Sequence, residues 1–217
     1  MKKEYPKDGI HKEFYSNSQK ESEGNYKAGR KEGWWTEWHE NGQKRSEGNY
    51  QKVKTGAWRW MFETEPKYGK KEGWWTEWHE NGQKRYEGNY EEGKFISWYE
   101  NGQRESEGNR KKGMVSGKYI SWYDNGQKES ERHYSFGKRY GSTIEWYENG
   151  QRKAELSCRN DYCGHTNAWY ENGQKEMEGR RTNGDPSGKW TSWDEDGNIT
   201  QETLFDENGN KIWEKEY

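Results

Sequence analysis

Residues 32–50 read EGWWTEWHENGQKRSEGNY, and residues 72–90 repeat them with one change, Ser46 to Tyr86. Recurrence of this kind is the signature of a repeat architecture and outranks any local propensity. The same template, G-x-W-x-x-W-Y-E-N-G-Q-K-x-x-E-G-x-Y, runs along most of the chain. Units begin at Gly9, Gly33, Gly56, Gly73, Gly93, Gly117, Gly141, Gly164 and Gly188. A closing half-unit, FDENGNKIWEKEY, occupies 205–217, and residues 1–8 form an N-terminal tail. One repeat domain is therefore expected over 9–217, with no linker.

Each unit is predicted to be a β-hairpin. Asn-Gly is the strongest short hairpin signal, because a type I′ turn needs two residues at positive φ. The pair stands at Asn41-Gly42, Asn81-Gly82, Asn101-Gly102, Asn125-Gly126, Asn149-Gly150 and Asn172-Gly173. Asn17-Ser18 in the first unit fits the turn less well. Aromatic and β-branched residues flank these turns, as strands prefer. A two-residue loop would pair Tyr123 with Lys128, Trp122 with Glu129 and Tyr119 with Arg132. Opposite such aromatic positions many units carry glycine (Gly48, Gly88, Gly179), so a ring can lie over bare backbone. The unit at Gly56 breaks the template: Pro66 falls where its second strand should start, and proline cannot donate to a ladder. An irregular loop near 63–70, dividing the array in two, is expected there.

Composition sets the remaining bounds. Only 26% of the 217 residues are hydrophobic, with two Leu, two Val and six Ile, against 15 Trp and 16 Tyr. So few aliphatics ordinarily signal disorder. A buried aromatic removes about 150–250 Å² from water, so Trp and Tyr can supply the core. The expected fold is all-β: an elongated, solenoid-like array of consecutive antiparallel hairpins in a twisted single-layer sheet. No apolar run approaches the roughly 20 residues of a membrane helix. The N-terminus lacks the apolar stretch of a secretory signal, which points to a cytoplasmic location. Basic and acidic residues number 37 and 39 and are intermingled, so no nucleic-acid footprint is visible. Cys158 and Cys163 form no metal pattern; they can bridge if oxidised, and in a reducing compartment they are expected as free thiols, so their pairing is left open.

The units GKYISWYDNGQKESE (117–131) and GKWTSWDEDGNITQE (188–202) resemble the MORN-repeat variant, the bacterial relative of the MORN repeat. That resemblance implies successive hairpins forming a sheet with a groove, and a repeat with no catalytic residues. Many bacterial members are described as YwqK-type antitoxins or immunity partners of secreted toxins. It therefore implies a protein partner, such as a toxin or effector encoded nearby.

Among candidate residues, the Trp column Trp38, Trp78, Trp98, Trp122, Trp146, Trp169 and Trp193 has two readings. The rings stack between units as a core, or they form an exposed ladder for a partner; a sheet with two faces permits both. His39 and His79 occupy a position that is Tyr in other units, which makes them packing groups. Recurring carboxylates and basic residues read as cross-strand charge pairs, since seven copies of one environment cannot give the unequal pKa values of an acid–base site. No catalytic residue, metal or cofactor is expected. The function read here is a non-enzymatic protein-binding scaffold of antitoxin or immunity type. A glycan- or lipid-surface binder using exposed Trp and Tyr rows is the alternative. Selectivity is expected where the template fails, at Trp58, Trp60, Phe62 and Tyr68. Oligomeric state is left open.

Overall fold

The computed structural model describes residues 6–52 and 69–217. Eighteen strands and no helix occur among the described residues, and every strand pairing is antiparallel. The chain divides into two compact units, one ending at Gly102 and the other beginning at Gln103. In the first unit, β1 (Gly9–Phe14), β2 (Lys20–Lys27), β3 (Arg30–Trp38), β4 (Lys44–Tyr50), β5 (Lys71–Trp78), β6 (Lys84–Asn89) and β7 (Gly93–Trp98) each pair with the next. In the second, β8 (Arg104–Lys111) pairs with the short β9 (Met114–Val115) and with β10 (Gly117–Trp122). Sequential pairing then runs through β11 (Lys128–Ser135), β12 (Lys138–Trp146), β13 (Arg152–Arg159), β14 (Tyr162–Trp169), β15 (Lys175–Thr182), β16 (Asp185–Trp193), β17 (Ile199–Phe205) and β18 (Lys211–Glu216).

The hairpins form at the expected places, but the turn differs from the expected one. Gly126 N–H donates to the Tyr123 carbonyl at 3.0 Å, and Tyr123 N–H donates to the Gln127 carbonyl at 2.8 Å. Only Gly126, at φ 84°, has positive φ in this loop. It is therefore a three-residue loop, a type I-like turn closed by a left-handed glycine, and not a two-residue type I′ turn. The extra residue appears as a bulge. Trp122 faces Lys128 rather than Glu129, while Ile120–Glu131 and Tyr119–Arg132 pair as expected. In the first unit Ser18 takes the glycine position at φ 69° and closes the same loop.

The asparagine is needed for its side chain and not for positive φ. Asn125 Oδ1 accepts from Gln127 N–H at 2.8 Å, and its Nδ2 donates to the carbonyl of Glu148 in the next turn at 3.2 Å. Asn17, Asn41, Asn81, Asn149 and Asn172 repeat both contacts. A Cβ on Gly42 would lie 2.6 Å from Gln19 Oε1 of the preceding turn, so glutamine and glycine interlock from turn to turn. The Asn-Gly-Gln triplet is thus a stacking device.

The irregular loop expected near 63–70 lies largely outside the described residues, but the ladder is continuous across it. β4 pairs directly with β5, Tyr50 opposite Lys71 and Gly48 opposite Trp75. Asn41 likewise donates directly to the Glu80 carbonyl. The ladder passes from residue 50 to residue 71, because both flanking units carry the intact template.

The core of the first unit is also not the column that recurs most faithfully. Tyr26, Trp35, Tyr50 and Trp75 form the buried cluster. Their rings meet edge to face at 5.0, 6.3 and 5.0 Å in sequence, the favoured geometry for aromatic pairs. Trp35 lies over Gly24 and Trp75 over Gly48, where an added Cβ would fall 2.2 and 2.3 Å from the ring. Trp190 over Gly179 repeats this, as the strand glycines predicted, whereas Gly88 is approached by the Cβ and backbone of Phe95. The column from Trp38 to Trp193 is only half-buried. In the second unit Trp190 and Cys158 are buried, while elsewhere small hydroxyl residues fill the buried positions: Ser121 and Ser130 share a 2.7 Å hydrogen bond, and Thr143 is also buried.

Candidate functional site

Alternation along β3 sends Trp35 to the buried face and Trp34 to the other. Trp34 is 60% exposed and Trp74, its equivalent on β5, is 51% exposed. The two strands flank β4 and so run roughly 10 Å apart. Asn49 of β4 is the register partner of Trp34 and donates to Glu72 Oε1 at 3.0 Å. The first unit therefore presents two indoles in near-identical settings with amide and carboxylate groups between them. The repeat of 32–50 at 72–90 announced the duplication, but the exposed partner within each Trp-Trp pair was not identified from sequence.

Beside these rings, Trp38 and Trp78 are covered by lysines. Lys20 Nζ lies 4.7 Å from the Trp38 ring centre and Lys44 Nζ lies 5.7 Å from that of Trp78. The second unit repeats the arrangement with Lys128 over Trp146 at 5.0 Å and Lys175 over Trp193 at 5.5 Å. Each lysine also pairs with the glutamate three residues on, as Lys20–Glu23, Lys44–Glu47, Lys128–Glu131 and Lys175–Glu178 do. The recurring charge pairs thus run along one strand past the bulge, with cross-strand pairs such as Lys118–Glu131 added at 2.7 Å. Trp38, Trp78, Trp146 and Trp193 are therefore half-buried rings with a lysine drawn over each. Trp58, Trp60, Phe62 and Tyr68 lie outside the described residues.

The buried face holds the most perturbed carboxylate. Burial alone would raise the Glu37 pKa. Hydrogen bonds and charge from Lys31 at 2.5 Å and Arg45 at 2.9 Å overcome that and hold it down at about 2. Lys31 is itself buried and lies 4.2 Å from the Trp35 ring centre. Burial, followed by the charges of Glu37 and Glu77, pushes the Tyr50 hydroxyl well above the ordinary phenol range. A permanently ionised carboxylate clamped between two cations braces the core and has no proton to transfer near neutrality.

The turn edge is committed to stacking. Tyr15, Tyr123, Tyr147 and Tyr170 donate to the carbonyls of Trp38, Trp146, Trp169 and Trp193 at 2.7–2.8 Å. Burial first, and neighbouring carboxylates second, keep the Tyr123 and Tyr147 hydroxyls protonated to higher pH than a free phenol. His39 and His79 place Nε2 at 2.9 and 2.8 Å from the carbonyls of Trp78 and Trp98, substituting for the tyrosine hydroxyl. Their partners are acceptors, so Nε2 carries the proton. Among the described residues no group of three His, Cys, Asp or Glu side chains gathers to hold a metal.

The family described as MORN repeat variant matches six segments: 7–28, 31–52, 71–92, 91–112, 116–135 and 186–207. Together they cover more than half of the chain. The chain belongs to the MORN-repeat family, in its variant form. Among curated proteins none matches it. MORN repeats are non-enzymatic scaffolds that often bind proteins or membranes, and every stacking contact described above falls to template residues of the MORN unit. Residues 136–185 carry MORN-like hairpins in the structure but fall outside the matched segments. Within them lies a disulfide between Cys158 and Cys163, with Cα atoms 3.8 Å apart, the oxidised alternative of a pair whose state the sequence left open. The two residues are direct register partners on β13 and β14. The hairpin brings them together, and their spacing in sequence did not reveal it.

Proposed function

We propose that the chain is a protein-binding repeat scaffold whose first unit captures its partner on the face that presents Trp34 and Trp74. The observation that carries this is the pair of large, exposed indoles on β3 and β5, the two strands that flank β4. Tryptophan is the residue most enriched among interface hot spots, and desolvation of an exposed indole yields binding energy without reorganising the sheet. The polar groups around the rings suit the rim of a protein interface. Membership of the MORN-repeat family supports a binding role over catalysis. Within that role we favour an antitoxin or immunity component, with a toxin or effector as partner. Support for that finer reading is the resemblance of the units 117–131 and 188–202 to the repeats of such bacterial proteins.

Glycan binding is the second reading, favoured by flat rings flanked by Asn49 and Glu72. The test is a pull-down with the full chain, followed by titration of the recovered protein against wild type and Trp34→Ala/Trp74→Ala. A loss of affinity of at least tenfold is expected. Unchanged affinity would exclude this face. Retention on a glycan array that the double variant abolishes would favour the sugar.

A further inference from the structure

The strand ends of the second unit opposite the Asn-Gly turns form a different surface. There the connections β8–β9, β11–β12, β13–β14 and β15–β16 lie side by side. A Cβ on Gly137 would lie 3.6 Å from Met114, and one on Gly184 would lie 3.6 Å from Tyr162, so successive tips touch. Met114, Phe136, Tyr140 and Tyr162 are 40%, 56%, 54% and 63% exposed, an unusual run of apolar groups for hairpin tips. Tyr140 is the register partner of Arg159, and Arg159 that of Tyr162. Direct register partners point to one face, so a ring, a guanidinium and a second ring form a row across three strands.

Between the tips of β13–β14 and β15–β16 is a hollow of about 450 Å³ lined by Arg159, Arg180, Arg181 and Tyr162. These three arginines enter no ion pair among the described residues. Arg181 is preset: it donates to the Gly184 carbonyl at 3.1 Å and lies 5.2 Å from the Trp190 ring centre. The Cys158–Cys163 disulfide also lines the hollow and clips one of its walls. The opposite strand ends are the reverse in charge: the turns at 123–127, 147–151, 170–174 and 194–198 contain acidic residues and no Lys or Arg. All of the basic hollow lies within residues 136–185, outside the MORN matches. Stacking within the repeat does not account for these departures.

We propose that this basic, aromatic end of the second unit binds an acidic polypeptide segment that also carries apolar side chains. Arginine forks bind carboxylates in paired hydrogen bonds, and the exposed rings take the apolar groups between them. A polypeptide fits better than a nucleic-acid backbone, because Asp161 and Asp185 interrupt the positive surface and would repel a uniform run of phosphates. It fits better than a second copy, because the acidic turns of this chain present no exposed large apolar side chain to match the rings. This surface is separate from the Trp34–Trp74 face, and the inference does not rest on that assignment.

The test uses fluorescence anisotropy with the full chain and a labelled peptide alternating Asp or Glu with Phe or Leu. The same peptide with Lys for its acids, a thymidine oligonucleotide and phosphatidylserine vesicles serve as competitors. Binding should weaken with salt, by tenfold or more in Arg159→Gln/Arg180→Gln, and by severalfold in Tyr162→Ala, with Trp34→Ala/Trp74→Ala unchanged. An unshifted melting temperature and circular dichroism spectrum confirm that each variant is folded. Tyr162→Ala, which removes no charge, stands in if the arginine variant fails to fold. No binding of the acidic peptide, or equal binding by the arginine variant, would overturn the proposal. So would stronger competition by the oligonucleotide or vesicles, or salt-sensitive self-association in sedimentation that the arginine variant abolishes.

Discussion

Trp34 and Trp35 are adjacent, yet one is 60% exposed and the other fully buried. Trp35→Ala should destabilise the first unit by about 3–5 kcal/mol, because it opens a cavity over Gly24 that the backbone cannot fill. Trp34→Ala should change stability by no more than about 0.5 kcal/mol. Urea unfolding of both variants checks the pair, and equal losses would overturn the face assignment. Glu37 supplies a pH dependence. Its folded pKa lies at about 2, below the ordinary value of 4.5, so its contribution is fully present above about pH 4.5. That contribution is lost as pH falls from there toward 2. Glu37→Gln should flatten this limb of the stability–pH curve, and an unaltered curve would assign the acid sensitivity to other carboxylates.

At the scale of the hairpin, stability depends on which residue occupies each special backbone position. Ser18 holds a left-handed conformation that the equivalent later turns among the described residues assign to glycine. Left-handed backbone costs a side-chain-bearing residue roughly 1–2 kcal/mol, partly offset by glycine's greater freedom when unfolded. Ser18→Gly should therefore stabilise by about 0.5–1 kcal/mol in denaturant titration. Gly48→Ala should do the reverse, by about 1–3 kcal/mol or more, because its Cβ would fall 2.3 Å from the Trp75 ring. A neutral result would mean that the indole can slide off the strand. The strength of each turn comes from the asparagine amide, which bonds both its own loop and the next, and the interaction therefore propagates along the stack.

Over the whole chain the repeat is regular where hairpins stack and irregular where they offer something else. The ladder crosses from Tyr50 to Lys71 without a missing rung, so a long sequence interruption leaves the pairing intact. Of the described residues outside the MORN matches, 136–185 form the longest stretch, and the Cys158–Cys163 bridge lies within it. Mass spectrometry of protein isolated without reductant should find the thiols blocked to alkylation, and alkylation at both positions would show that the native pair is reduced. Far-ultraviolet circular dichroism should lack the paired helical minima throughout.

The sequence alone determined the hairpins, their positions and their all-β class. An Asn-Gly-Gln triplet between aromatic strands has few other solutions, and its recurrence multiplies the signal. It also determined that rings would lie over strand glycines, since a missing Cβ is visible in the letters. It did not determine which column is buried. The Trp column from Trp38 to Trp193 is the more constant in identity, yet the buried positions vary: Trp35, Trp75, Phe95, Thr143 and Trp190. Burial depends on the glycine across the strand and on a lysine drawn over the ring, and both are cross-strand facts. The register near each turn was undetermined for the same kind of reason, because one left-handed glycine adds a residue to the loop and shifts the pairing beyond it. The disulfide, the clamped Glu37 and the arginine-lined hollow were out of reach of sequence reading. Each joins residues that only strand pairing or tip-to-tip packing brings within contact distance.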